Sequence, residues 1–144
     1  MGIFSFVRDV GEKLGLVDGT PDPEELAKEV EKHGLDAEGL EVKVEGDTVK
    51  VAGKTATQEL REKIILTLGN VTGIGKVEED IDVAEEAGEA TFYTVAKGDT
   101  LWAIAKKNYG NGSKYNVIFE ANKPMLKHPD KIYPGQSLRI PKLD

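Results

Sequence analysis

The region from residue 22 to residue 83 carries the apolar spacing of two helices and three strands. Asp22-Pro23 predicts the start of the first helix, with a capping aspartate and proline at the first helical position, and Gly34 predicts its end. Valine then alternates with charged residues across a Gly46-Asp47 turn. This alternation predicts a β-hairpin with one solvated face.

A second helix and a third strand follow the hairpin. Thr55-Ala56-Thr57-Gln58 has the spacing of a capping box, and Gly69 predicts the helix end. Beyond a glycine-rich loop, one face of the third strand is apolar and the other acidic. The apolar positions are Val77, Ile81 and Val83. The order helix, strand, strand, helix, strand predicts a two-layer α+β domain.

A second domain is predicted beyond a short stretch, 84–90, that lacks bulky apolar residues and indicates a solvated linker. Phe92–Ala105 combines a β-branched and aromatic strand, a Gly-Asp-Thr turn and the start of an amphipathic helix that Asp99 or Thr100 caps. Ser113 predicts the cap of another helix. A Pro-Gly turn precedes a closing strand, so the order is strand, helix, helix, strand.

The N-terminal residues have apolar side chains at spacings that fit one helical face. They predict a helical arm that packs on the first domain. The alternative, a membrane-surface helix, lacks a cationic polar face. The predicted organisation is an arm at 1–17, a first domain at 18–84, a linker at 85–91 and a second domain at 92–144.

The composition of the chain excludes several classes of function. A formal net charge of −7 argues against a nucleic-acid partner, and the absence of cysteine excludes disulfides and thiolate metal sites. The N-terminus lacks the features of a secretory signal and no run approaches the ~20 apolar residues of a membrane span, so we expect a cytoplasmic location and no membrane partner. The acidic charge and small size favour a monomer.

The sequence contains few residues in arrangements that would support catalysis. His33 and His128 each lack a second ligand at metal spacing and are predicted to be surface residues. Within the acidic run from Glu78 to Asp82, Glu78, Asp80 and Asp82 are predicted to share the solvated face of a strand. No nucleophile elbow or EF-hand spacing is present. We therefore expect a binding protein and not an enzyme.

Two family resemblances rest on these elements. Residues 92–141 resemble a LysM domain, and Val49–Gly53 together with Gly69–Ile74 resembles a BON domain. The LysM resemblance implies binding of N-acetylglucosamine polymers such as peptidoglycan in a groove between two loops. The candidate glycan-binding residues are Gly98, Asp99, Thr100, Leu101, Asn122 and Pro124. Gly98, Asp99 and Thr100 are equally well explained as a turn and a helix cap.

Nearly the whole chain resembles the bacterial cytoplasmic potassium-binding proteins with BON and LysM domains, including Met1–Val7, Gly11–Leu14, Gly69–Ile74 and Ile118–Lys127. The resemblance implies a selective K+ sensor that becomes more compact and ordered when the ion binds, with Rb+ or Cs+ as substitutes. Helix ends leave carbonyl groups without intrahelical partners and are natural cation sites. Guided by the resemblance, we expect main-chain carbonyl ligands from Val7, Val10, Gly69, Val71 and Ile74. A protein partner for the LysM domain stays open.

Overall fold

The computed structural model describes residues 2–11, 13, 16–17, 20–85 and 90–142, with only the backbone described at 16, 17 and 20. The chain divides into two compact units, Met1–Ala87 and Gly88–Asp144. Each combines helices with strands, so the α+β class is confirmed. The predicted linker is too long at both ends, because Glu85 ends one strand and Thr91 begins another. Its central residues, 86–89, lie outside the described part.

The first unit packs two helices on a four-stranded sheet. Its elements are β1 (Gly2–Ser5), β2 (Leu16–Val17), β3 (Thr20–Pro21), α1 (Pro23–Lys32), β4 (Glu38–Glu45), β5 (Thr48–Thr57), α2 (Gln58–Gly69) and β6 (Lys76–Glu85). The sheet order is β1-β6-β5-β4, in which β5 and β6 run parallel and the other neighbours antiparallel. Apolar residues of both helices and of β5 and β6 form the core, which includes Leu26, Val30, Val49, Ile64, Leu68 and Val77.

The helical arm predicted over 1–17 is wrong where the structure describes it as strand. Gly2–Ser5 forms β1 and pairs with the edge of β6 from Glu79 to Lys76, and Leu16–Val17 pairs with β3. The apolar spacing at the N-terminus suits a strand as well as a helix. The open edge of β6 offers backbone hydrogen bonds to a strand but none to a helix, which decides the outcome. Positions 12 and 14–15 of the predicted helix lie outside the described residues.

The helix caps are set locally. Asp22 accepts a hydrogen bond from the Glu24 N–H, and Gly34 adopts the left-handed φ of +68° that ends α1, as predicted. At α2 the capping residue is Thr57, whose hydroxyl accepts from the Leu60 N–H. The prediction of a cap at Thr55 was wrong by two residues, because β5 continues to Thr57.

The second unit encloses its own core. Its elements are β7 (Thr91–Thr94), α3 (Leu101–Tyr109), a short 3-10 helix (Gly112–Lys114), α4 (Tyr115–Ala121) and β8 (Ser137–Ile140), with β7 antiparallel to β8. Thr100 caps α3. The cap predicted at Ser113 is wrong, since Asn111 caps the 3-10 helix and Ser113 lies inside it. The core comprises Val95, Leu101, Ile104, Ala105, Ile118, Leu126, Leu138 and Ile140.

Candidate functional site

The segment after β1 lies along the loop between α2 and β6. The Phe6 N–H donates to the Gly75 carbonyl over 2.9 Å, and the Gly73 N–H donates to the Arg8 carbonyl over 2.6 Å. Further along, the Thr72 hydroxyl donates to the Gly11 carbonyl over 2.9 Å. We call residues 6–11 the arm and residues 69–75 the loop. The three bonds join them along their length.

Glycine permits the close approach of arm and loop at Gly11. Its φ of +120° lies in the range that favours glycine, and an added Cβ would lie 2.0 Å from the Asn70 carbonyl oxygen. The arm therefore passes directly over the first turn of the loop. A side chain at this position would push the two segments apart.

The structure brings together the two segments that hold the predicted carbonyl ligands. Val7 and Val10 lie on the arm, and Gly69, Val71 and Ile74 lie on the loop. The Val71 carbonyl accepts from the Ile74 N–H over 3.1 Å, which leaves one lone pair. Among the described residues, no hydrogen bond reaches the carbonyl oxygens of the other four. These carbonyls have acceptor capacity for a cation.

The hairpin turn between β4 and β5 orients the end of the loop. The Gly75 N–H donates to the Asp47 carbonyl over 2.9 Å. Because N–H and C=O point in opposite directions in a trans peptide, the Ile74 carbonyl points away from Asp47. The Asp47 carboxylate lies 3.7 Å from the Arg8 guanidinium in an exposed pair, so it adds little to stability.

The candidate site lies at the negative end of a helix. Gly69 is the last residue of α2, where unpaired carbonyls carry the partial negative charge of the helix dipole. Val71 and Ile74 are buried. No group of three acidic or histidine side chains that could hold a metal ion occurs in the part of the chain that the structure describes.

Glu79 lies in the interior, whereas Asp80 and Asp82 are exposed on the other face of β6, as predicted. Glu79 shares the inward face of β6 with Val77 and Ile81, and its side chain is 2% exposed. Its carboxylate accepts from the Arg61 guanidinium and, over 3.0 Å, from the Ile81 N–H. Burial raises the pKa of Glu79, but these hydrogen bonds outweigh it and hold the pKa below its ordinary value. Its place in the strand alternation was the signal in the sequence.

The two histidines differ in their surroundings. His33 is not the surface residue that was predicted, because its side chain is 16% exposed and lies 3.1 Å from the Glu29 carboxylate one turn earlier in α1. His128 is exposed, as predicted.

Residues of the predicted glycan groove mostly serve the second unit itself. The Asp99 carboxylate accepts from the Tyr93 hydroxyl over 2.6 Å and from the Ala96 N–H over 2.8 Å. The Tyr93 hydrogen bond is the main cause that lowers the pKa of Asp99. Gly98 supplies the left-handed φ of +87° for the turn, and Thr100 caps α3.

Asn122 does not fit the groove. Its side chain donates to the carbonyls of Ile118 and Arg139, over 2.7 and 2.9 Å, and accepts from the Arg139 N–H over 2.7 Å. The residue is 2% exposed, so this candidate is corrected to a buried link between α4 and β8. Pro124, by contrast, is exposed.

A cavity of about 290 Å³ adjoins the start of α3 in the second unit. Its lining joins Asp99, Thr100 and Leu101 to Trp102, Tyr115 and the segment 129–132. Neither Asn122 nor Pro124 takes part. Trp102 is 51% exposed, and its indole packs against Gly112. Trp102 is not among the residues predicted from the sequence, although its place beside a helix cap is a visible signal.

Comparison with known proteins identifies both units. A BON domain model matches residues 24–85 and a LysM domain model matches residues 93–141. The chain is 49% identical over 147 residues to "Potassium binding protein Kbp" of Escherichia coli O6:H1 strain CFT073, covering 98% of this chain and 99% of that protein. The chain belongs to this BON–LysM protein family.

Two further relatives are similar to parts of this BON–LysM protein. "Uncharacterized protein YqbP" of Bacillus subtilis strain 168 is 45% identical over 58 residues, which cover 34% of this chain and 26% of that protein. An uncharacterized protein of Deinococcus radiodurans strain R1 is 45% identical over 60 residues, covering 42% of this chain and 22% of the relative. Both similarities are partial and carry no assignment for the whole chain.

The arm lies outside the region that the BON domain model matches. The loop lies inside it, so the candidate cation site of this BON–LysM protein combines a domain segment with an N-terminal addition. Within the described residues, no helix is long and apolar enough to cross a membrane.

Proposed function

We propose that this BON–LysM protein binds potassium ions selectively, through main-chain carbonyls of Val7, Val10, Gly69, Val71 and Ile74. The observation that carries the proposal is the docking of the arm on the loop by three hydrogen bonds, which join the two segments that contain these residues. The full-length similarity to a protein named for potassium binding supports the choice of ion.

The chemistry of the site favours potassium over a divalent ion. Ca²⁺ and Mg²⁺ sites are usually built with carboxylate ligands, and the described residues offer no carboxylate cluster. A selective potassium site replaces the water shell of the ion with several neutral carbonyl oxygens. Rb+ and Cs+ resemble K+ in charge and weak hydration, so they substitute in the proposed site.

The protein acts, in this proposal, as a cytoplasmic ion sensor in the response to stress, works as a monomer and catalyses no reaction. An ion held by arm and loop together binds the docked state better than the undocked state, so it shifts the population toward the docked state. Ordering of the arm and compaction of the two domains are the expected signals. A protein partner on the LysM domain is the means by which such a signal would be passed on.

Cation titrations at constant ionic strength test the proposal. K+, Rb+, Cs+ and Na+ are added separately to the full chain, and binding is followed by calorimetry and by amide chemical shifts. We expect saturable binding of K+, Rb+ and Cs+, weak binding of Na+, and shifts concentrated in residues 6–11 and 69–75. An equal response to Na+ and K+ contradicts selective binding.

Small-angle scattering tests the sensor part separately. The radius of gyration is measured in K+ and in Na+ at equal ionic strength. A smaller radius in K+ supports compaction, whereas saturable binding with an unchanged radius limits the effect of the ion to the site.

A second candidate function is binding of N-acetylglucosamine-containing glycans such as peptidoglycan by the LysM domain. The half-exposed indole of Trp102 beside the cavity at the start of α3 favours it, because an exposed aromatic face suits an amphipathic ligand such as a sugar. Titration with chitin oligomers and a peptidoglycan pull-down test this function. Loss of binding in Trp102→Ala or Thr100→Ala, with the fold intact, would support it, and no binding by the unmodified chain would exclude it.

A further inference from the structure

Gly69 occupies the last position of α2 because of space and not because of its backbone conformation. The helix includes Gly69, and the following residue, Asn70, has a φ of −84°, so the backbone here would accept alanine. A Cβ on Gly69, however, would lie 2.1 to 2.3 Å from three atoms of the Phe6 ring. The ring tip therefore fills the place of the missing side chain.

This contact lies between two of the proposed ligand groups. Phe6 immediately precedes Val7 on the arm, and Gly69 belongs to the ligand set of the loop. The Phe6 N–H is also bonded to the Gly75 carbonyl, so its backbone meets one end of the loop and its ring meets the other. Phe6 thus fixes the distance and the orientation of the arm relative to the end of α2.

The rest of the arm is held weakly. Val7 is 41% exposed and the Arg8–Asp47 pair is largely solvated. Among the residues that the structure describes, two hydrogen bonds, from Gly73 and Thr72, hold the arm beyond Phe6. Such bonds contribute little to stability, because water competes for the same groups. The Phe6 ring on Gly69 adds an apolar contact that helps to keep the arm in place.

We propose that Phe6 is a positioning residue for potassium binding, and that its ring, seated on Gly69, holds the arm where the carbonyls of Val7 and Val10 complete the ion site. The inference rests on the proposed function. An arm that is docked only part of the time lowers the apparent affinity by the docked fraction. Phe6 therefore sets the affinity without touching the ion.

Calorimetric K+ titrations of the full chain with substitutions at both positions test this role. We expect Phe6→Ala to bind K+ at least about tenfold more weakly, since docking in one molecule out of ten has that effect. Phe6→Leu restores part of the affinity. Gly69→Ala weakens binding to a similar extent by displacing the ring, so the double variant is no weaker than the weaker of the two single variants.

Gly112→Ala is the matched control. A Cβ there would lie 2.2 Å from the Trp102 ring, which is the same kind of clash in the other unit. We expect its K+ affinity to equal that of the unmodified chain.

Three results would overturn the inference. Unchanged affinity in Phe6→Ala, with K+ binding by the unmodified chain intact, removes the positioning role but keeps the proposed function. Additive losses in the double variant show that alanine at position 69 acts independently of the ring. Absence of K+ binding in the unmodified chain overturns the function and the inference together. If circular dichroism shows that Phe6→Ala is unfolded, the K+ affinity of Phe6→Leu is the test instead. An affinity equal to that of the unmodified chain rejects the positioning role of Phe6.

Discussion

Arg61 of α2 and Glu79 of β6 form a buried ion pair, with the guanidinium Nε 3.1 Å from a carboxylate oxygen. The pair joins the helix that ends at the candidate site to the strand on which β1 and the arm depend. Removing one partner leaves a buried charge without its partner, which typically costs about 3–5 kcal/mol. We expect Glu79→Ala and Arg61→Ala to lower the free energy of unfolding by this amount in urea titrations.

Lys28→Ala supplies the control for this pair. Lys28 and Glu25 form an exposed ion pair in the same unit, with side chains 69% and 42% exposed. Such pairs contribute about 0–1 kcal/mol, so the control should change the unfolding free energy by no more than that. A similarly small effect of Glu79→Ala would contradict the structural role assigned to Glu79.

The same carboxylate predicts a dependence of stability on pH. Burial raises the pKa of folded Glu79, but Arg61 and the Ile81 N–H lower it by more. The pKa therefore lies below its ordinary value of 4.5. Its contribution is therefore complete above the unfolded pKa and is lost as the pH falls through the folded pKa. We expect stability to fall more steeply below pH 4.5 in the unmodified chain than in Glu79→Gln, as measured by urea unfolding at several pH values.

The path of the arm over the loop predicts the effect of Gly11→Ala. The left-handed φ of Gly11 strains any other residue by about 1–3 kcal/mol, and the Cβ would also lie 2.0 Å from the Asn70 carbonyl oxygen. We expect the arm to leave the loop and K+ affinity in calorimetry to fall at least about tenfold, as for any arm docked a tenth of the time.

Gly98→Ala is the control for Gly11→Ala, because it introduces backbone strain without a steric clash. Gly98 also has a left-handed φ, +87°, but no atom would lie within 4 Å of an added Cβ. Its K+ affinity should therefore match that of the unmodified chain. Equal losses in the two variants would show that general destabilisation, and not the arm, explains the result.

The buried side-chain amide of Asn122 predicts that its removal destabilises the second unit. Asn122→Ala removes three hydrogen bonds, one with Ile118 of α4 and two with Arg139 of β8, and loss of a buried partner costs about 1–3 kcal/mol per group. We expect a clear fall in the unfolding midpoint of this unit, followed by the fluorescence of Trp102, the single tryptophan. Substitution of the exposed Asn116 by alanine is the control, and K+ affinity should not change in either variant.

The hydrogen bond between Tyr93 and Asp99 predicts that the pKa of the tyrosine depends on the aspartate. The hydrogen bond to Asp99 is the main cause that raises the pKa of Tyr93 above 10.0, because ionisation of the phenol removes the donor and places two negative charges together. Asp99→Asn should bring this pKa back toward 10.0, as followed by carbon NMR of the tyrosine rings. Tyr109 is the internal control, since burial is the main cause that raises its pKa and the substitution leaves burial unchanged.

Local signals in the sequence determined much of the fold. Aspartate, proline and glycine fixed the ends of α1, the alternating valines fixed the β4–β5 hairpin, and Phe92–Ala105 fixed the opening of the LysM domain. These features depend on neighbours a few residues away, so the residue order alone encodes them. The family resemblance followed from the same residues, and it guided the choice of the two segments of the candidate site more than the local patterns did.

The tertiary structure alone decided how distant segments use their residues. β1 forms a strand because the edge of β6 is open to it. Glu79 is buried because the Arg61 guanidinium pairs with its carboxylate, and the Asn122 side chain is buried because it forms hydrogen bonds with β8. Gly69 is a glycine because a ring from the other end of the unit lies against it. Each outcome depends on a contact between residues 17 or more positions apart, whose energy no local pattern contains.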